Sequence, residues 1–206
     1  MTQMPRQGTS RTAYALIAVL ALAAVVMIIL ASLMVVYMNQ AADYKGSKYK
    51  AQYVIVKEMV DDTPIANQSI ADMSNDALDT GFRRAAALSA TRILQELSGD
   101  AFSIAVMYSN TSDRYIILMS LSGALGEFAD VLYQGYQTLS SPVHEFTSEY
   151  ESTITGASAI LSQIRDYLNQ GLTPGMNGVT DPYPVVDSLP LGSIAAAADA
   201  LMSTLV

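Results

Sequence analysis

Few side chains in this chain can move protons, hold a metal or attack a carbonyl, and they are poorly grouped. His144, in "SSPVHEFTSE", is the single histidine, and cysteine is absent. One histidine excludes multi-histidine metal centres. The lack of thiols excludes disulfide frameworks, thiolate metal sites and cysteine nucleophiles, and is neutral about compartment. Any Ser/His/acid arrangement would rest on His144 alone, and its place beside Glu145 in the first turn of an expected helix reads as solvent-facing. Glu145, Glu149 and Asp166 fall at roughly helical steps, the ordinary pattern of a solvated helix face. "GALGEF" from Gly123 lacks the lysine of a Walker loop and the third glycine of a dinucleotide fingerprint. The twelve tyrosines suit packing and interfaces better than redox chemistry. The chain reads as non-enzymatic, with no catalytic residue, cofactor or metal. "NQS" at Asn67 and "NTS" at Asn110 match the glycosylation triplet, which gives two candidate modification sites.

The element that stands out is the uncharged run from Ala13 to Met38, about 26 residues long. A secretory signal has an apolar core of about 7–15 residues followed by small residues at its cleavage site. Here the run is longer, and Gln40 occupies the outer of the positions that a signal peptidase reads. As a helix it measures roughly 39 Å, enough to cross a hydrocarbon layer of about 30 Å with some tilt. It reads as a retained membrane anchor rather than a discarded signal or a soluble core helix. Arg6 and Arg11 flank it on one side, and Lys45, Lys48 and Lys50 with Asp43 on the other, so flanking charge hardly orients it. A short N-terminal tail followed by a first segment that exports what comes after it puts the N-terminus inside and the C-terminal domain outside.

Charge is distributed unevenly along the chain. Up to Lys57 there are six basic residues against Asp43 alone, and from Glu58 onward five arginines face eighteen acids. Basic residues near the span suit anionic headgroups. The acidic remainder is repelled by phosphate backbones and argues against nucleic acid as a partner.

The expected architecture is mainly α with one β-hairpin, an α+β class. Residues 1–11 form a cytoplasmic tail or leader and 12–40 the transmembrane helix. A helical stalk over 41–62 carries Tyr49, Tyr53, Val56 and Val60 on one stripe, stopped by Pro64 in "DDTP". Residues 63–171 form the outer domain. Its first helix starts at Asn75 or Asp76, buries Leu78, Phe82, Ala85, Ser89, Ile93 and Leu97, and stops at Gly99. Alternation in "AFSIAVMY", turn chemistry in "SNTSD" and the β-prone "RYIILMSL" predict a hairpin near 101–121. Asp113 and Arg114 argue against a second span there. Leu125, Phe128, Leu132 and Tyr136 mark another helix. Pro142 opens the last long one, with Val143, Phe146, Tyr150, Ile154, Ala157, Leu161, Ile164 and Leu168, closed by Gly171. Residues 172–206 read as a Pro/Gly-rich extended segment and a short apolar helix docked on the domain or a neighbour.

A basic leader with glycine, "MPRQGTSR", followed by a long uncharged helix, an amphipathic continuation and a small cysteine-free domain, resembles archaeal pilin-like and related membrane-anchored surface proteins. The resemblance covers Arg6 to about Asp61. It implies leader cleavage at Gly8 and stems that associate in a filament core. Small residues such as Ala15, Ala18 and Ala21 would allow close packing there. The partners expected are the lipid bilayer, other membrane or surface proteins, and further copies of the chain through its stem. Two functions fit. One is a structural or accessory subunit of a pilus-like or envelope assembly. The other is an extracytoplasmic sensor or ligand-binding module acting through a partner membrane protein.

Overall fold

The computed structural model describes residues 8–141, 145–172 and 185–206, with side chains from Met27 onward except at position 28. The chain divides into two compact units, Met1–Gly46 and Ser47–Val206. Among the described residues there are five α-helices: α1 (Gly8–Ser74), α2 (Thr80–Ala105), α3 (Asp113–Ser140), α4 (Ser148–Gly171) and α5 (Leu191–Leu205), with a short 3-10 turn at Val185–Ser188. No strand occurs among them, so the fold is all-α and the expected hairpin over 101–121 is wrong. "AFSIA" ends α2 and "RYIILMSL" opens α3. Ala101, Ile104 and Ala105 are buried while Phe102 and Val106 are exposed, a helical rather than an alternating pattern.

The second unit is a bundle built on one repeated spacing. The buried positions of α1 here include Gln52, Val56, Met59, Thr63, Ala66, Ile70 and Met73. Those of α2 include Arg83, Ala87, Ala90, Leu94, Leu97, Ala101 and Ile104. Both series step by alternate fours and threes, the period that keeps an apolar seam on one side of a helix over several turns. α3 follows with Leu118, Leu121, Leu125, Phe128, Leu132 and Leu139, and α4 with Ile154, Ala157, Leu161, Ile164 and Leu168. α2 packs on α3, α3 on α5, and α5 on α4. Side-chain bonds join α4 to α1 through Asn67, Ser158 and Ser162, and α1 to α2 through Ser69 and Ser89. These contacts close a ring of five helices around one core, which Val185, Val186 and Leu189 of the 3-10 turn also enter.

Three boundaries differ from the sequence reading. α1 continues past Pro64 to Ser74. Pro64 removes one backbone donor and crowds the carbonyl four residues back, but Thr63, Ala66, Ile70 and Met73 continue the buried seam, and their burial outweighs that cost. α2 is N-capped by Asp79, whose side chain accepts the Phe82 N–H, rather than by Asn75 or Asp76, and runs through Gly99. Its buried face is also rotated. Phe82 is 51% exposed, and alanines fill the core side instead. α4 keeps its expected stripe but starts at Ser148, capped by Thr147. Pro142, Val143 and His144 lie outside the described residues.

α3 is, among the described residues, the one helix long and apolar enough to cross a membrane by composition. Its leucines and Phe128 form the centre of the bundle core, which accounts for that apolarity.

Candidate membrane and association surface

Residues 8–46 lie in α1, unbroken by proline or by any turn. Every described side chain from Met27 to Lys45 is exposed. Met27, Ile29, Leu30, Leu33, Met34, Val35, Val36, Tyr37 and Met38 are all more than half exposed, with Tyr37 at 74%. Leaving one such side chain in water rather than burying it costs about 1.5–3 kcal/mol, so this face alone forgoes well over 10 kcal/mol unless something covers it. The apolar residues go all round the helix, as in a lipid-embedded span, and do not form the single stripe of a helix docked on a protein core. Gly8 is the first helical residue, and Ala15, Ala18 and Ala21 fall within α1 in the part whose side chains are outside the described residues.

A polar cluster marks one end of the bundle, where the α2–α3 turn meets α1. Lys48 Nζ donates to the Met107 carbonyl at 2.7 Å and lies 4.0 Å over the Tyr108 ring. Gln52, fully buried, donates to the Tyr108 hydroxyl at 2.9 Å. Burial pushes the Tyr108 phenol above its ordinary pKa, so it stays neutral and serves as an acceptor and packing group. Arg114 pairs with Asp187 at 2.8 Å, tying α3 to the 3-10 turn.

At the opposite end Arg83 is buried. Its Nε donates to the Met73 carbonyl at 2.9 Å, its Nη1 meets Asp76 at 2.8 Å, and its guanidinium lies 5.3 Å from the Phe146 ring centre. The group satisfies a carbonyl at the end of α1 that has no intrahelical partner, a structural role. Its neighbour Arg84 lies over the Tyr136 ring at 5.6 Å, and hydrogen bonding to Arg84, then to Ser140, lowers the Tyr136 pKa.

Four carboxylates line the α1–α2 seam: Glu58 and Asp62 on α1, Glu96 and Asp100 on α2. Partial burial, then the charges of Glu58, Asp62 and Glu96, raise the Asp100 pKa to about 6. Arg92 pairs with Glu96 at 3.0 Å, and Lys57 pairs with Asp61. No three potential ligands among the described residues come close enough to hold a metal ion.

The remaining sequence candidates are dispersed. His144 lies outside the described residues. Glu149 is in the first turn of α4, and Asp166, 70% exposed, stands more than four turns further along the same helix, so the two do not meet. "GALGEF" lies inside α3 and forms no phosphate-cradling loop. Asn67 is held between helices, its amide donating to Ser162 and accepting from Ser158, each at 2.8 Å. A glycan on that nitrogen would have to displace the Ser162 bond. Asn110 is exposed in the α2–α3 turn. The sequence reading missed the Lys48–Tyr108 tie, whose only signal was an aromatic residue at the edge of a turn. Comparison with known protein families, curated proteins and solved structures finds no match to this chain.

Proposed function

We propose that this protein is a single-pass, membrane-anchored, non-enzymatic subunit of a pilus-like or envelope assembly, held by the apolar part of α1 and presenting its helical bundle outside the membrane. The observation that carries the reading is the run of exposed apolar side chains from Met27 to Met38 within an uninterrupted helix. Such a surface needs lipid, or copies of itself within lipid, to cover it. The bundle supports a scaffolding role: its five helices share one core, and Lys48 and Arg114 tie separate elements together. The N-terminus lies inside, and the acidic bundle, which repels anionic headgroups at long range, lies outside.

Fractionation of cells expressing the full chain tests the anchor. The protein is expected to stay with membranes through an alkaline wash, and a Leu30→Arg/Leu33→Arg double substitution should release it. An arginine costs about 2.5–3.5 kcal/mol at the centre of a span and less toward its end, where Leu33 lies. Protease added to intact cells should digest the bundle and leave a small embedded fragment. Release of the unmodified chain by the wash would refute the anchor, and full protection of the bundle would refute the orientation.

A further inference from the structure

The outward side of α2 carries a second seam. From Gly81 to Val106, at alternate steps of four and three residues, it reads Gly, Ala, Leu, Arg, Gln, Gly, Phe, Val, and every residue of this row is exposed. The spacing is that of the buried side of the same helix, and it keeps one face against one partner over several turns. Leu88, Phe102 and Val106, at 42%, 47% and 53% exposure, are its large apolar members.

The row is complementary to its own reverse. Laid antiparallel on a second α2 about an axis midway between Arg92 and Gln95, it sets Val106 on Gly81, Phe102 on Ala85, Leu88 on Gly99 and Arg92 beside Gln95. Each large apolar side chain meets a small residue, and the polar pair meets itself at the centre. Such alternation of large and small lets facing layers interdigitate, and reciprocal pairing is what a two-fold contact requires. Gly99 adds a separate indication. A glycine inside a helix costs about 1 kcal/mol relative to alanine, yet a Cβ on Gly99 would meet only open space, so the bundle itself gives no reason for glycine there.

Charge selects the same arrangement. From Thr80 to Arg92, α2 has three arginines and no acid, and from Ile93 to Ala105 it has Glu96 and Asp100 and no base. This order opposes the dipole of the helix, which favours acids near the N-terminus and bases near the C-terminus. An antiparallel copy brings the basic half of one helix to the acidic half of the other, whereas a parallel copy sets like on like. Arg92, which pairs with its own Glu96 at 3.0 Å, then also stands next to Glu96 of the other copy.

We propose that the outward face of α2 is a pairing surface for a second copy of this chain, joined antiparallel about a two-fold axis near the middle of the helix. The contact is made by the bundle and does not depend on the membrane anchor. Ser69 meets Ser89, and Glu58 and Asp62 lie near Asp100, so α2 runs antiparallel to α1. The Ser47 ends of two paired bundles therefore point opposite ways, unlike those of copies associated through stems that run in the same direction.

The chain has no cysteine, so oxidative cross-linking of the full-length protein in mild detergent maps the contact. Leu88→Cys/Gly99→Cys should give a disulfide-linked dimer, and Ala85→Cys/Phe102→Cys should do the same. Each of the four cysteines alone should stay monomeric at the same oxidant, as should Ala77→Cys, which is exposed but lies outside the row. Positions 88 and 99 are about 16 Å apart along one helix, too far for a bond within a chain. Gly99→Leu fills the space that Leu88 of the other copy needs, and should lower the dimer fraction in sedimentation several-fold with the helical circular dichroism unchanged. Dimer from Leu88→Cys alone would reveal a parallel contact, and monomer from both double variants would leave the face to another partner or to solvent; either result overturns the proposal. So would a dimer fraction that survives Gly99→Leu. Release of the chain from membranes by the alkaline wash would refute the anchor and leave this contact standing.

Discussion

Asp100 shows how a single side chain can make this bundle sensitive to acidity. Its carboxyl titrates at about 6 in the folded chain because burial and three neighbouring carboxylates oppose its charge. A pKa raised on folding means that the folded state binds a proton the unfolded state has already lost, so stability falls as pH rises from about 4 through 6. Solvent screening reduces the effect to about 1 kcal/mol. Thermal unfolding followed by circular dichroism should therefore show a higher midpoint at pH 5 than at pH 7.5. Asp100→Asn should raise the midpoint at pH 7.5 and flatten that difference; an unchanged slope would assign the effect to other groups. Two glycines give a second contrast at this scale. A Cβ on Gly99 would meet open space, whereas one on Gly135 would overlap the hydroxyl of Tyr150, which donates to the Val131 carbonyl at 3.0 Å. Gly99→Ala should stabilise by up to about 1 kcal/mol, and Gly135→Ala should destabilise by about 1–2 kcal/mol in spite of the same helix gain. None of this could be read in the sequence, because Asp100 acquires its neighbours, and Gly135 its crowding, only when distant segments pack.

The helices were legible to different degrees, and the differences have physical causes. The stripes of α3 and α4 stand out in the sequence because leucine, isoleucine and phenylalanine occupy the buried steps. α2 misleads because its buried side is built from Ala86, Ala87, Ala90 and Ala101, while Phe82, Leu88 and Phe102 face out. Small residues let α2 approach α3 closely, close enough for Ser98 and Ser122 to donate to each other's carbonyl at 2.8 and 2.9 Å. The residues 101–121 carry strand-like composition, and burial against neighbouring helices overrides that local preference. The phase of α2 is open to test. Leu94→Ala should cost about 2–5 kcal/mol, and Phe82→Ala, at a half-exposed position, under about 1 kcal/mol. Equal losses would return Phe82 to the core. Pro64→Ala restores a donor inside α1 and should raise the unfolding free energy by about 1–3 kcal/mol.

For the molecule as a whole, the feature that stands out in the sequence is the uncharged run of about 26 residues, whose described side chains from Met27 to Met38 are exposed. The run's length and apolarity do not separate a solitary anchor from an assembling stem, since lipid tails are as apolar as leucine and give no hydrophobic incentive for helices to meet. Association in a bilayer depends on close backbone approach, so the small positions Ala15, Ala18 and Ala21 are where a stem and an anchor must behave differently. In a stem, Ala18→Leu or Ala21→Leu would hold neighbouring backbones apart and abolish assembly while leaving membrane insertion intact, because leucine is at least as well suited to lipid as alanine. Cross-linking of the native protein in its membrane should then give ladders for the parent chain and monomer for either variant, and mass spectrometry should show loss of a leader ending near Gly8. If the ladders survive both leucines and the first residues are retained, the apolar part of α1 is an anchor only. The contacts that build the assembly would then have to be made by the bundle, whose exposed Ile65, Phe82 and Leu88 become the first positions to vary.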